Sequence, residues 1–347
     1  PPPRSSAAPG TGRGGYSMDT KLMTRPGTGP RTGRALLVAV LLVAATTGLW
    51  SSPVQAAGTP PRNQSIGFGG GGPGQFNVPR QLATDAAGNV YVADTVNHRI
   101  QVFRRNGSIV RAWGTQGSAN GQFTSPNGVT VDGDNRVYVA DTGNDRVQQF
   151  TTDGVFVRKW GGAGTANGQF DSPRAIVSTG TSVLVADADN NRIQTFSVNG
   201  AFIRTFGTAG TGNGQFASPR GLTVAANGDV IVADTGNNRI QKLTGTGTFV
   251  RKWGSTGTAN GRFNAPRGVA VDITTGDVMV ADSSKNRIQR FTSAGTFIDK
   301  VGGTAAGSGA AQFSGPVGVS VDGVGNVWVA DTGNNRVLRY GFFDDPR

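Results

Sequence analysis

The chain has no cysteine, no glutamate and a single histidine, His98, in 347 residues. Without cysteine there is no disulfide, no thiolate nucleophile and no sulfur-ligated metal, so the fold rests on packing alone. One histidine excludes a three-histidine zinc site and any relay that needs a second imidazole. All 21 acidic residues are aspartates, so the glutamate that often serves as a tuned general acid is missing. Beyond residue 56 no stretch carries apolar residues at helical spacing, which points to an all-β class.

What the chain has instead is repetition. An apolar strand ending in Ala-Asp occurs six times, centred on Asp94, Asp141, Asp187, Asp234, Asp282 and Asp331, at intervals of 47, 46, 47, 48 and 49 residues. Each copy runs on to an arginine, Arg99, Arg146, Arg192, Arg239, Arg287 or Arg336. Each is preceded by a phenylalanine, Phe76, Phe123, Phe170, Phe216, Phe263 or Phe313. Repeats of this length, built from short strands and turns, mark the blades of a propeller.

The second copy shows how one blade forms. Gly128 to Asp132 alternates apolar and polar between Pro126 and the turn Gly133-Asp134-Asn135, and so reads as a first strand. Val137 to Ala140 is a second. Asp141 to Asp145 supplies turn residues, Arg146 to Phe150 is a third strand, and Val155 to Trp160 is the fourth. The glycine-rich segment from Gly161 to Gln169 fits neither a phosphate loop nor a dinucleotide fingerprint, because the spacing is wrong and no helix follows. It reads as the connection between blades.

The sixth copy lacks a fourth strand. Ser65-Ile66-Gly67-Phe68-Gly69 matches Val110-Arg111-Ala112-Trp113-Gly114 in position before its Gly-x-Phe, so this N-terminal strand is expected to complete the last blade and close the ring. The fold expected is an all-β, six-bladed propeller of four-stranded antiparallel blades.

The segment before the repeats is of another kind. Met18 or Met23 could start translation. Lys21, Arg25, Arg31 and Arg34 precede an apolar run from Ala35 to about Trp50, and Val54-Gln55-Ala56 precedes Ala57. This order reads as an export signal cut after Ala56. A membrane anchor is the rival reading, but the run is shorter than the ~20 residues a spanning helix needs and is broken by Thr46, Thr47 and Gly48. Residues 1–56 are thus assigned to upstream sequence and signal, and 57–347 to a single propeller domain, secreted or periplasmic. The formal charge of +12 falls to +7 in 57–347, with 27 basic and 20 acidic residues, so nucleic acid is not an expected partner. Membrane contact is expected only if the signal stays uncleaved, and the domain is expected to be a monomer.

The pattern Pro-x-Gly-apolar-x-Val-Asp followed by Val-Ala-Asp-Thr-x-Asn-x-Arg-Ile-Gln, with Asn97-His98 in the first copy, resembles NHL repeats of the exported bacterial type. The resemblance covers essentially all of 57–347. It implies a central channel with a ligand face, on a fold that hosts unrelated activities, among them amidating lyases, streptogramin-type lyases, sensor domains of bacterial membrane kinases, and RNA- or protein-binding domains. In the lyases the metal histidines fall just after the proline that opens the first strand. Here those positions are Arg80, Asn127, Arg174, Arg220, Arg267 and Val317. None is histidine, so zinc-lyase chemistry, a cofactor and a bound metal are not expected.

Residues repeated in all six copies read as scaffold. The Asp after the second strand and the Arg opening the third are expected to pair as a turn brace. The strand-four aromatics Phe68, Trp113, Trp160, Phe206 and Trp253 and the six phenylalanines are expected to pack between blades, and His98 to serve as a turn residue. The slot after the proline differs, because it varies. Four arginines in it would make an electropositive ring, and Arg80, Asn127, Arg174, Arg220 and Arg267 are the expected ligand-binding residues. The functional expectation is a non-catalytic binding or scaffolding module for an anionic small molecule, a polymer or a protein partner. A metal-dependent lyase or lactonase-like hydrolase with Asp and Asn ligands at the channel is the alternative.

Overall fold

The computed structural model describes residues 64–303 and 305–341. The expected cleavage site at Ala56 and the signal segment lie outside the described residues. Among those described, the strands form six four-stranded antiparallel sheets arranged as a ring of blades. Blades 1 to 5 span 79–113, 128–161, 173–206, 219–253 and 266–302, and blade 6 spans 318–341 together with Gln64–Ile66. In blade 2 the order from the axis outward is Gly128–Val131, Arg136–Asp141, Arg146–Thr151 and Phe156–Gly161.

The second strand of each blade, such as Val90–Asp94, is buried along its length because both faces meet neighbouring blades. Tyr91, Ala93, Ile100 and Val102 of blade 1 pack with Val129, Val137, Val139 and Phe150 of blade 2, and the same interdigitation recurs around the ring. All six phenylalanines are fully buried. Trp113, Trp160, Phe206 and Trp253 pack against the next blade's cluster, as expected of inter-blade core.

Ring closure follows the expected route with one correction. Gln64–Ile66 pairs antiparallel with Arg336–Gly341, placing Ile66 opposite Val337. In blade 1 the residue opposite the corresponding Ile100 is Trp113. Ile66 therefore takes the Trp113 place, and Phe68, 63% exposed, lies outside the core. The physical marker is the glycine that ends each outer strand. Gly67 and Gly114 both have positive φ, and at each a Cβ would strike the phenylalanine nine residues later, Phe76 or Phe123.

Two sets of polar contacts hold the ring. Within every blade the Arg Nε donates to the Asp Oδ2 at 2.7 Å. In blade 2, Arg146 also donates to the carbonyl oxygens of Ser118, Ala119 and Gln122, which fastens the glycine-rich connection to the blade it enters. That connection thus offers carbonyls to a cation, and its glycines serve the scaffold. Removing one partner of such a buried pair typically costs about 3–5 kcal/mol, because the other charge is left without compensation.

The second set joins blade to blade. The left-handed turn residues His98, Asp145, Asn191, Asn238, Asn286 and Asn335 each accept a hydrogen bond from the backbone N–H just before the next blade's proline, at 2.8 to 3.0 Å. His98 accepts through Nδ1 from Ser125, and so stands in for asparagine as a turn residue. The donors, from Val78 round to Gly315, are themselves at positive φ ahead of a proline, a sparsely populated conformation that the latch holds in place.

Candidate functional site

The prolines following these latches are Pro79, Pro126, Pro173, Pro219, Pro266 and Pro316. Five of the six carbonyls accept a hydroxyl from the previous blade, as from Thr142 to Pro173 at 2.6 Å and Thr332 to Pro79 at 2.7 Å. Blade 3 has Ala188 in the donor position, so Pro219 lacks this contact. Each blade therefore fixes where its neighbour's inner strand begins, and the next residue is the variable slot.

Arg80, Asn127, Arg174, Arg220, Arg267 and Val317 all line one cavity at the axis, with a volume of about 40 Å³. The five residues expected from sequence as ligand-binding are thus neighbours in space. In the four arginine blades the ladder between first and second strand shifts register at the arginine, as between Pro79 and Leu82 and between Pro219 and Gly221. Such an irregularity releases a side chain from the alternation of the strand and re-aims it.

A layer of small residues lies next to the slot. After the slot come Gln81, Gly128, Ala175, Gly221, Gly268 and Gly318, where inner strands touch backbone to backbone. A Cβ at Gly221 would collide with the carbonyl oxygen of Arg267, one at Gly268 with that of Val317, and one at Gly318 with that of Arg80. Gln81 reaches over Gly128 to blade 3, where its amide donates to Ile176 O at 2.9 Å and accepts from Ile176 N at 3.2 Å. Sequence reasoning missed this layer. The signal available was the run of glycines one residue beyond the slot, broken only by Gln81 and Ala175.

The four slot arginines differ from the six brace arginines in having almost nothing to bind. Among the described residues, Arg80, Arg174 and Arg267 give no side-chain hydrogen bond or ion pair to the protein, and their Nε atoms are buried without an acceptor. Arg220 reaches only Ser218 Oγ, at 3.2 Å. Burial, followed by repulsion from Arg174, Arg267 and Arg220, pulls the Arg80 pKa down to about 10. Arg267 is lowered by burial and then by Arg220 and Arg174. Arg174 is lowered by burial and by Arg220, with Asp189 partly offsetting the shift. The lining includes no carboxylate, and no cluster of three His, Cys, Asp or Glu suited to a metal occurs among the described residues.

The NHL repeat model matches residues 76–103, 123–150, 216–243, 263–291 and 313–340, so the chain carries five matched NHL repeats within its six-bladed propeller. The human NHL repeat-containing protein 3 is 48% identical over 48 residues, which is 14% of this chain and 14% of that protein. The mouse protein of the same name is 46% identical over the same share. The match thus spans a small fraction of these curated relatives. Among solved structures, a catalytically inactive virginiamycin B lyase from Staphylococcus aureus, determined with quinupristin, is similar at 17% identity and a TM-score of 0.54, covering 76% of this chain and 80% of that one. A gluconolactonase from Xanthomonas campestris is similar at 14% identity and a TM-score of 0.58, covering 77% and 86%. At these identities the likeness is one of fold.

Proposed function

We propose that this propeller is a non-catalytic binding module that holds an anionic ligand, or an anionic group of a protein partner, at the mouth of its axial cavity. One observation carries the reading: four arginines converge on one cavity, and three of them have a buried Nε without an acceptor while Arg220 reaches only Ser218. Gathering like charges opposes folding, and a buried guanidinium without an acceptor adds to that cost. A ligand that supplies both charge and acceptors would offset it, and planar guanidinium groups grip oxyanions in a paired geometry. Arginines line the mouth where a metal-dependent lyase or hydrolase would need converging carboxylates, which favours binding over catalysis. Export is part of the proposal, on the order of basic, apolar and small residues before Ala57.

The test is thermal unfolding of parent and the Arg174→Ala/Arg220→Ala double variant with sulfate added. The parent should gain about 2.7 kcal/mol at a sulfate concentration of 100 Kd, and the gain should shrink as sodium chloride rises. The double variant should fold and show no response. An identical response in both proteins would return the arginines to a structural role.

A further inference from the structure

Resting on that reading, we infer that the site is built for the terminal group of a compact tetrahedral dianion, a phosphate or sulfate presented end-on, either free or as a monoester. Three observations carry this. The first is symmetry. Arg80, Arg174 and Arg267 belong to blades 1, 3 and 5, which are alternate blades of six, so they form a threefold set about the axis. These same three have buried Nε atoms without acceptors and feel one another's charge. Three oxygens of a tetrahedral anion viewed down its own threefold axis match that arrangement, whereas a carboxylate offers two. Arg220, in blade 4, adds a fourth charge opposite Arg80.

The second observation is size. The cavity, of about 40 Å³, is small and open to solvent, which suits a compact end group seated among the arginines with any remainder of the ligand outside. The third is the layer next to the slot. At Gly221, Gly268 and Gly318 the inner strands of adjacent blades touch backbone to backbone, and Gln81 is tied to Ile176, so the arginine side chains are the charged groups left free to meet a ligand there. The fourth oxygen, or the ester bond to the rest of the ligand, points outward. Four positive charges favour a doubly charged group over a singly charged one, since each added negative charge meets all four.

Calorimetric titration at low chloride separates the possibilities. Inorganic phosphate at pH 8, where it is dianionic, should bind at least tenfold more tightly than acetate. Lowering the pH to 5 should weaken phosphate about tenfold as it becomes a monoanion, and should leave sulfate unchanged. Arg267→Gln should lose tenfold or more for phosphate, and Arg220→Gln less. Glycerol phosphate binding as well as phosphate would support a monoester whose body projects from the mouth, and phosphate binding alone would support a free oxyanion. Acetate equal to phosphate, with both lost in Arg267→Gln, would overturn the dianion inference and leave the anion-binding reading standing. No binding of any of these anions would overturn both. Binding of heparin with phosphate inert would also overturn the inference, since only an outer surface would then be at work.

Discussion

Replacing Arg80 by glutamine should make the ligand-free protein more stable. The arginine's pKa is held down to about 10, chiefly by burial and then by Arg174, Arg267 and Arg220. Each pKa unit corresponds to about 1.4 kcal/mol, so the cost of the charge is at most about 3.5 kcal/mol, and roughly half that after solvent screening. Glutamine gives up one methylene of packing, about 0.8 kcal/mol. The net gain expected is about 0.5–1 kcal/mol, a rise of roughly 1–3 °C in melting temperature for a domain of this size. Equivalent slots in blades 2 and 6 hold the uncharged Asn127 and Val317. The pH dependence has a definite sign. A base whose folded pKa lies below its unfolded value destabilises the fold fully below the folded pKa, and the penalty fades as pH rises from about 10 toward the ordinary arginine value. The variant's advantage should therefore be complete at pH 7 and smaller at pH 11. Calorimetric melting of both proteins, in buffer free of phosphate and sulfate, measures it. A variant that melts below the parent at pH 7, or an advantage that grows with pH, would refute the reasoning.

Three further outcomes test the scaffold. Ile66→Ala removes a buried side chain from the closing strand and should cost about 2–4 kcal/mol by urea unfolding. Gly221→Ala drives a methyl into the Arg267 carbonyl and should cost about 1–3 kcal/mol or prevent soluble expression, whereas Gly133→Ala, in open space, should stay within about 0.5 kcal/mol. His98→Asn should melt within a degree or two of the parent because asparagine accepts the same hydrogen bond in four later blades, from Ser218, Ala265, Gly315 and Val78. His98→Ala should cost about 1 kcal/mol.

The blades were legible because their determinants are local. Turn residues, alternating strands and the Asp–Arg spacing recur within each copy, and their repetition identifies Arg146 and its equivalents as braces. The slot was legible for the opposite reason, since Arg80, Asn127 and Val317 break a pattern that is otherwise kept. What escaped lies between copies. The closing strand was matched two residues out of step because Phe68 mimics an outer-strand aromatic, and only the packing of Gly67 on Phe76 fixes the register. Likewise Gly221 looks like an ordinary strand glycine until blade 5 is placed beside it. Gln81 finds its partner 95 residues away, beyond the reach of any local pattern.

The clasp in blade 6 bears on rates. Every blade but the last is made from one continuous stretch of chain, while the last is sealed by the three residues Gln64–Ile66, with Asn335 holding Val78 and Thr332 holding Pro79 across 257 and 253 positions. Opening that short strand is expected to be an easy route into the ring, since only three paired residues hold it, and each blade beyond it would then lose a neighbour in turn. Changes made at this seam should therefore alter the unfolding rate of the ring more than changes of similar size within a continuous blade.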